Sequence, residues 1–381
     1  MGFGAYITSG SDFKPLSSDV KSWLVEVRVE MELSKPTKFA LRFEDDICDG
    51  NFAVQGHPQL VANEKLGIFV QDENEALDCL VYGPITEVKS SAVLGGAGSW
   101  VEILCEDRRV EMARVGVQAK YTGKASDAAK GILAAYEFEP NVQDTLITFD
   151  GKKKQLSQRG NDLAFLEEIA RKNNMEFWIS YKTELVPLIG TLTLTETANL
   201  RTSPERSQLG DLPAIPVLSA PPSHSLSVNP PRDDCPKVNK FESKIDFEKP
   251  VAVKGFAFDA AGDKEIVDQI IEAAEPVDPE KPVQINGVKR EAIIPPKVDP
   301  EESFLAQEAV VFEQSWFVDV TASTTFEQAG FVIRPHQLVE FTHLDTRLAG
   351  SYQVTKALHV ITASDHFMDI EAHANGLGGA G

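Results

Sequence analysis

One β-pattern is written twice in this chain, and any fold must seat both copies. In the first, Ile85-Thr86-Glu87-Val88 leads through a glycine-rich turn (Gly95, Gly96, Gly98) into Trp100-Val101-Glu102-Ile103-Leu104-Cys105. In the second, Val354-Thr355-Lys356-Ala357 leads through Ala363-Ser364-Asp365-His366 into Phe367-Met368-Asp369-Ile370-Glu371-Ala372. A tyrosine stands just before each upstream strand, Tyr82 and Tyr352. One pair of alternating strands carries little weight. The order and spacing of three elements together point to an internal duplication.

The rest of the chain arranges itself around these copies. Residues 1–18 are polar and glycine-rich and read as an N-terminal arm. Val25, Val27, Val29 and Met31 alternate, as do Phe39, Leu41 and Phe43. Gly67 to Val70, Leu77 to Tyr82 and Trp100 to Cys105 follow at barrel-like spacing, with tight turns expected at Asp49-Gly50 and Gly83-Pro84. Residues 19–117 thus read as a first β-barrel domain. An α+β domain over 118–200 contains a helix opening at Ser126-Asp127, with Ala129, Ile132, Leu133 and Tyr136 on one face, and strands at Leu146–Thr148 and 191–195.

Between Pro204 and Pro236 lie eight of the 22 prolines, which rules out a central strand or helix and makes 201–237 a linker or strap. Phe241, Ser243, Ile245 and Phe247 alternate, and Val251 to Phe258 reads as a further strand. Asp263 to Ala274, with Ile266, Val267, Ile270 and Ile271 at helical spacing, reads as an amphipathic helix. Asp299-Pro300-Glu301-Glu302 is a helix start continued by Phe304, Leu305, Ala309 and Phe312. Trp316, Val318, Val320 and Ala322 then alternate. Residues 259–315 therefore read as a helical insertion splitting a second β-barrel domain, 238–258 and 316–381.

Residues 160–180 carry a more specific signal. Asn161 or Asp162 can cap a short helix that presents Leu163, Leu166, Ile169 and Ala170 on one face, with Glu167 and Glu168 in its early turns. Asn173-Asn174 tolerates the left-handed conformation that stops a helix, and Met175, Phe177 and Ile179 alternate as in a half-buried strand. This unit resembles a signature of the late control protein D family, the tail hubs of contractile phages and the base of the spike protein VgrG of related secretion systems. The resemblance continues through Arg334-Pro335-His336, Leu338-Val339-Glu340-Phe341, Gly350-Ser351-Tyr352-Gln353-Val354 and His359, and so covers about 20–180 and 240–375.

The resemblance implies a mainly β chain with α+β insertions and two similar β-barrel domains, so that a homotrimer presents six near-equivalent barrels with pseudo-sixfold symmetry. Such a ring can meet a sixfold inner tube on one side and a threefold spike protein on the other. It further implies baseplate wedge proteins as neighbours, assembly in the bacterial cytoplasm and a place in a phage tail or phage tail-like particle. Many secretion-system relatives continue into a repetitive β-prism; this chain ends at Gly381, and the spike is expected as a separate chain.

Composition narrows the alternatives. A net charge of -21, with no basic stripe, argues against nucleic-acid sequence recognition. The Lys152-Lys153-Lys154 run reads as a hairpin tip. Acidic clusters at Glu44-Asp45-Asp46, Asp72-Glu73-Asn74-Glu75 and 299–302 suit solubility, or the wall of a channel. No apolar run reaches a membrane span, and Met1-Gly2-Phe3-Gly4 opens neither a secretory signal nor a myristoylation site. Cys48, Cys79, Cys105 and Cys235 are too scattered for a zinc or disulfide framework.

Catalytic chemistry finds little support. Five of seven histidines (His336, His343, His359, His366, His373) lie near the end, close to Asp345, Asp365 and Asp369, but without metal-ligand spacing. Ser9-Gly10-Ser11 and the Gly95–Gly98 turn lack the lysine of a phosphate loop, and no nucleophile elbow is present. No catalytic, cofactor or metal residue is assigned. The expectation is a structural hub, not an enzyme. The alternatives are a type VI-like spike base, or a carbohydrate-binding or hydrolytic tail module displaying Trp100, Trp178 or Trp316 in a groove beside paired carboxylates.

Overall fold

Alternation decides most of the strands. Val27, Val29, Phe39, Leu41, Val101 and Ile103 are buried while their sequence neighbours point outward, which is the two-residue period of a sheet with one face on a core. The computed structural model describes residues 4–377 apart from 46–50, 73, 75, 153, 187–190, 204–205, 208–216, 219–221, 233, 250–251, 260–263, 272–289 and 295–299. The turn expected at Asp49-Gly50 and the cap expected at Asp299 lie outside the described residues.

The first elements are β1 (Tyr6–Ser9), β2 (Lys14–Pro15), α1 (Ser18–Trp23), β3 (Leu24–Glu32), β4 (Lys38–Glu44), β5 (Lys65–Gln71), β6 (Leu77–Ser91) and β7 (Trp100–Glu106). Next come α2 (Arg109–Met112), β8 (Gly116–Tyr121), β9 (Gly123–Lys124), α3 (Ala125–Ala135), β10 (Glu139–Val142), β11 (Thr148–Phe149) and β12 (Leu156–Asn161). They are followed by α4 (Asp162–Lys172), β13 (Glu176–Val186), β14 (Thr191–Arg201), β15 (Arg206–Ser207), β16 (Val217–Leu218) and β17 (His224–Ser227). Then follow β18 (Lys240–Ile245), β19 (Ala252–Asp259), β20 (Lys264–Ile271), β21 (Glu291–Ile293) and α5 (Pro300–Ser315). The chain closes with β22 (Val318–Thr325), α6 (Phe326–Ala329), β23 (Leu338–Thr342), β24 (Gly350–Ile361) and β25 (His366–Ala374).

Thirteen strands form one large sheet, and its order repeats. The first half runs β1-β5-β6-β7-β4-β3 in space, the second β17-β23-β24-β25-β22-β18. Taken in chain order, the six strands of each half correspond one to one. The halves differ at their outer end, where β1 is antiparallel to β5 but β17 is parallel to β23. They are joined where β24 pairs with β3. Each half has its own core: Val27, Leu41, Phe43 and Ile103 belong to one, Val320, Phe341, Val354 and Ile370 to the other. Strand β24 crosses the join, with Val354 in the second core and Ile361 in the first.

A third core lies under α3 and α4, where Ala129, Leu133, Leu166 and Ile169 meet Phe177 and Leu200. Helix α4 is capped as its sequence leads one to expect: Asn161 Oδ1 accepts the Ala164 N–H at 2.8 Å, and Asn174 beyond its end has φ 52°. In the proline-rich stretch, β17 is an edge strand on β23 with Leu226 fully buried, so part of this segment straps the second half.

Several expectations are corrected. Residues 6–9, read as part of an arm, are β1, with Ile7 buried against the first core. No turn occurs at Gly83-Pro84: β6 runs through it, pairing with β5 up to Pro84 and with β7 from Ile85. A β-carbon at residue 83 would overlap the Glu106 carbonyl oxygen, so the glycine serves a close crossing. Residues 264–271, read as a helix, are strand β20, paired with β19 in a small sheet β20-β19-β21. Ile266, Val267, Ile270 and Ile271 are all β-branched, and that stiffness favoured a strand over the helical spacing they also satisfy. The insertion is thus part strand, part helix. Among the described residues the pairings of the large sheet form one open path, not two closed barrels.

Candidate functional site

The repeat produces the same local geometry twice. Thr86 is an extra residue between the pairs Ile85–Cys105 and Glu87–Leu104. Thr355 is likewise extra between Val354–Ala372 and Lys356–Glu371. Each is a β-bulge, which bends the strand and increases its twist. The Thr86 hydroxyl donates to Leu104 O at 3.2 Å and the Thr355 hydroxyl to Glu371 O at 3.1 Å.

Beyond the bulge the halves differ in what lies beside them. In the second half, Lys356–Ile361 is zipped to β3, with Lys356 opposite Glu32, Ala357 opposite Met31 and Leu358 opposite Glu30. Lys356 Nζ reaches diagonally to Glu30 Oε1 at 2.6 Å, and this bond holds the Glu30 carboxyl below its ordinary range. In the first half, residues 87–91 have β7 on one side, and among the described residues no strand on the other. At the far end of the path β18 pairs, among the described residues, with β22 alone. These are two open strand edges, and open edges are templates for pairing.

Four of the five terminal histidines prove to be joints, His359 and His366 buried and His336 and His373 half-buried. His359 Nδ1 and His366 Nε2 share a hydrogen bond of 2.9 Å, and burial lowers the affinity of both for protons, that of His366 to about 4. His336 and His373 are linked through two other side chains. Gln353 Nε2 donates to Ser203 Oγ at 2.8 Å, the Ser203 hydroxyl meets His336 Nδ1 at 2.9 Å, and His373 Nε2 meets Gln353 Oε1 at 2.9 Å. With Gln353 donating, Ser203 is left to donate to His336 and His373 to donate to Gln353, so both rings are served as neutral imidazoles. Burial lowers their pKa values to about 3.

Trp178 stacks on His336 at 3.9 Å and Trp316 on His373 at 3.7 Å. The network therefore ties Trp178 of the α+β part, Ser203 just after β14, Trp316 just after α5 and the second half of the sheet together. His343 stands apart, bonded to Ser227 and Thr342. Trp100 lies under the Arg42 guanidinium, 4.4 Å from the ring centre. None of the three tryptophans thus stands as a bare platform. Among the described residues no group of three or more His, Cys, Asp or Glu is placed to hold a metal ion. No helix among them is long and apolar enough to cross a membrane.

Sequence reasoning missed a buried ionic joint. Asp107 and Arg109 are both buried, with Arg109 Nη2 to Asp107 Oδ2 at 2.6 Å. Arg109 also donates to Phe177 O at 2.6 Å and Lys35 O at 2.7 Å, while Asp107 accepts the Thr37 N–H at 2.6 Å. The α+β part is thereby clamped to the β3–β4 turn. Next to it, Arg108 binds Glu196 at 2.6 Å and Glu111 at 3.1 Å. Arg334 joins the two halves through Asp78 at 2.7 Å. The available signal was an acid followed by two arginines at the end of an apolar strand. Of the acidic clusters, Asp45 is buried and accepts the Val54 N–H at 3.0 Å, which is a structural role.

Comparison with solved structures decides what this architecture is. A tail protein from Neisseria meningitidis superposes with a TM-score of 0.62 over 97% of each chain at 12% identity. The chain has the fold of phage tail proteins. A 43 kDa tail protein of prophage MuSo2 from Shewanella oneidensis likewise matches with a TM-score of 0.62 over 97% of this chain and 98% of that one, at 11% identity. An Escherichia coli component of the type VI secretion system, described as structurally similar to T4 bacteriophage tail proteins, matches 92% of this chain and 73% of its own at a TM-score of 0.51 and 12% identity. No protein-family profile matches the chain, nor does any curated protein sequence. The tail-protein fold thus extends over the whole strand repeat and its insertions.

Proposed function

We propose that this chain is the structural baseplate hub of a contractile phage tail or contractile injection system. As a homotrimer it joins the sixfold inner tube to the threefold spike. One observation carries the reading: the same six-stranded order occurs twice in one sheet. Three copies supply six near-equivalent units, and a ring with both symmetries is what a tube-to-spike adaptor requires. The two units are the six-stranded halves, β1 with β3 to β7 and β17 with β18 and β22 to β25. The α+β part over 118–200 and the insertion over 259–315 face the spike and the surrounding wedge proteins. Within the proline-rich 201–237 segment, β17 is a strand of the second unit, and the residues before it link the α+β part to that unit.

The role is one of assembly and not of catalysis. The buried histidines, the Asp107–Arg109 clamp and the stacked tryptophans hold the parts rigid so that the ring surfaces keep their spacing. The chain assembles in the bacterial cytoplasm and then resides in the particle's baseplate. Light scattering on the purified chain, with and without the neighbouring spike protein, tests this. A mass of three times 41.7 kDa is expected, alone or on spike addition. A monomer in both conditions at micromolar concentration contradicts it.

A further inference from the structure

The internal join between the halves specifies how one copy meets the next. The two bulged threonines set the correspondence: Thr86 matches Thr355, so Glu87 matches Lys356 and Val88 matches Ala357. Following the pairings across each half carries it to the opposite edge. Leu104 faces Ala40, and Ala40 faces Arg28; Glu371 faces Thr321, and Thr321 faces Glu242. Arg28 therefore matches Glu242, Glu30 matches Lys244 and Met31 matches Ile245.

From this we infer that residues 87–91 of β6 pair with β18 of a second copy, antiparallel, in the register that β24 already adopts on β3. The inference rests on the hub reading for the number of copies, but the edges and the register come from this chain alone. In that register Val88 lies opposite Ile245, as Ala357 lies opposite Met31. Val88 is 37% exposed although the matching Ala357 is fully buried, which is the state of a seam residue whose partner is another molecule.

Charge supports the same match. The diagonal ion pair of the internal seam is Lys356 with Glu30. Its counterpart between copies is Glu87 with Lys244, the same pair with the signs exchanged. The next diagonal is Lys89 with Glu242, again of opposite charge. Residues directly across, Glu87 with Asp246 and Lys89 with Lys244, carry like charges, a cost to this register that the diagonal pairs and the Val88–Ile245 contact must offset. Within a copy Glu87 and Lys89 stand 4.0 Å apart and Lys240 and Glu242 3.0 Å, so a seam would knit existing alternating rows together. Slips by two residues keep the faces and compete: one sets Glu87 straight across from Lys244 and Val88 across from Ser243, the other sets Lys89 across from Asp246 and Val88 across from Phe247.

Disulfide trapping in the full chain separates these outcomes. Val88→Cys is made with Ile245→Cys, and separately with Ser243→Cys, each single variant serving as a control. Mixed Val88→Cys and Ile245→Cys proteins are expected to give a non-reducing band of two chains, and the double variant a ladder ending at three. A bond at 243 instead of 245 overturns the copied register. No bond at either position, with light scattering still at three chains, overturns the strand pairing while the hub reading stands. A monomer by light scattering sinks both. Independently, Lys244→Glu should weaken association about tenfold, and adding Glu87→Lys should restore it; loss without rescue contradicts the diagonal pair.

Discussion

Thr86 and Thr355 occupy the same place in two copies of one hairpin, each the extra residue of a bulge and each bonded through its hydroxyl to the carbonyl it faces. The bulge lies where each long strand, after its first neighbour, bends onward along the hairpin: β6 leaves β5, and β24 passes from β23 to β3. A local hydrogen bond thus fixes the point at which a sheet changes partners.

Replacing either threonine by valine keeps the branch and removes the hydroxyl. Each change should cost about 0.5–1.5 kcal/mol. The two sites share no bonding partners, so the double variant should cost close to the sum. Urea unfolding measures this. A cost at Thr355 with none at Thr86 would show that the two bulges are not equivalent.

The Asp107–Arg109 clamp is buried on both sides. Removing one partner strands the other charge, and Arg109→Ala should lose roughly 3–5 kcal/mol. The exposed pair Lys172–Glu168 is the comparison; Lys172→Ala should change stability by less than about 1 kcal/mol. Thermal unfolding of both variants decides the order.

Acid should loosen the joints in a defined window. Burial lowers the pKa values of His336 and His373 to about 3 and that of His366 to about 4, against 6.5 for the free side chain. The unfolded chain takes up these protons first as pH falls below 6.5, so stability is fully present above that value and is lost progressively down to about pH 4 for His366 and about pH 3 for His336 and His373. Each histidine contributes a slope of about 1.4 kcal/mol per pH unit. His373→Gln should make the decline between pH 6.5 and 5 shallower. An unchanged slope in that variant would show that His373 does not titrate as its burial requires.

Asn161 caps α4 through Ala164, and Asn161→Ala should cost about 1 kcal/mol. Asn161→Ser should recover most of that. Denaturant unfolding of the two variants checks it, and equal losses would exclude the cap as the cause.

Local chemistry was legible in the sequence where one segment settles its own geometry. The Asn161 cap, the Asn174 stop and the two threonine-containing hairpins all follow from neighbours a few residues away. What failed depends on distant partners. Gly83-Pro84 has the composition of a turn, but Glu106 crossing closely over it makes it a strand crossing. The residues around Ile266 have helical spacing but β-branched side chains, and pairing with β19 goes with the strand. The Asp107–Arg109 clamp draws on Lys35, Thr37 and Phe177, up to 74 residues away, and no short window contains it. The histidines were visible as a cluster, but Ser203 and Gln353, which connect two of them, were not.

Single-particle imaging of the purified ring tests the central claim most directly. End-on averages are expected to show six near-equal lobes in a ring containing three chains, with strand edges meeting both within and between copies. A ring in which lobes and chains are equal in number, or no ring with the spike protein present, would contradict it.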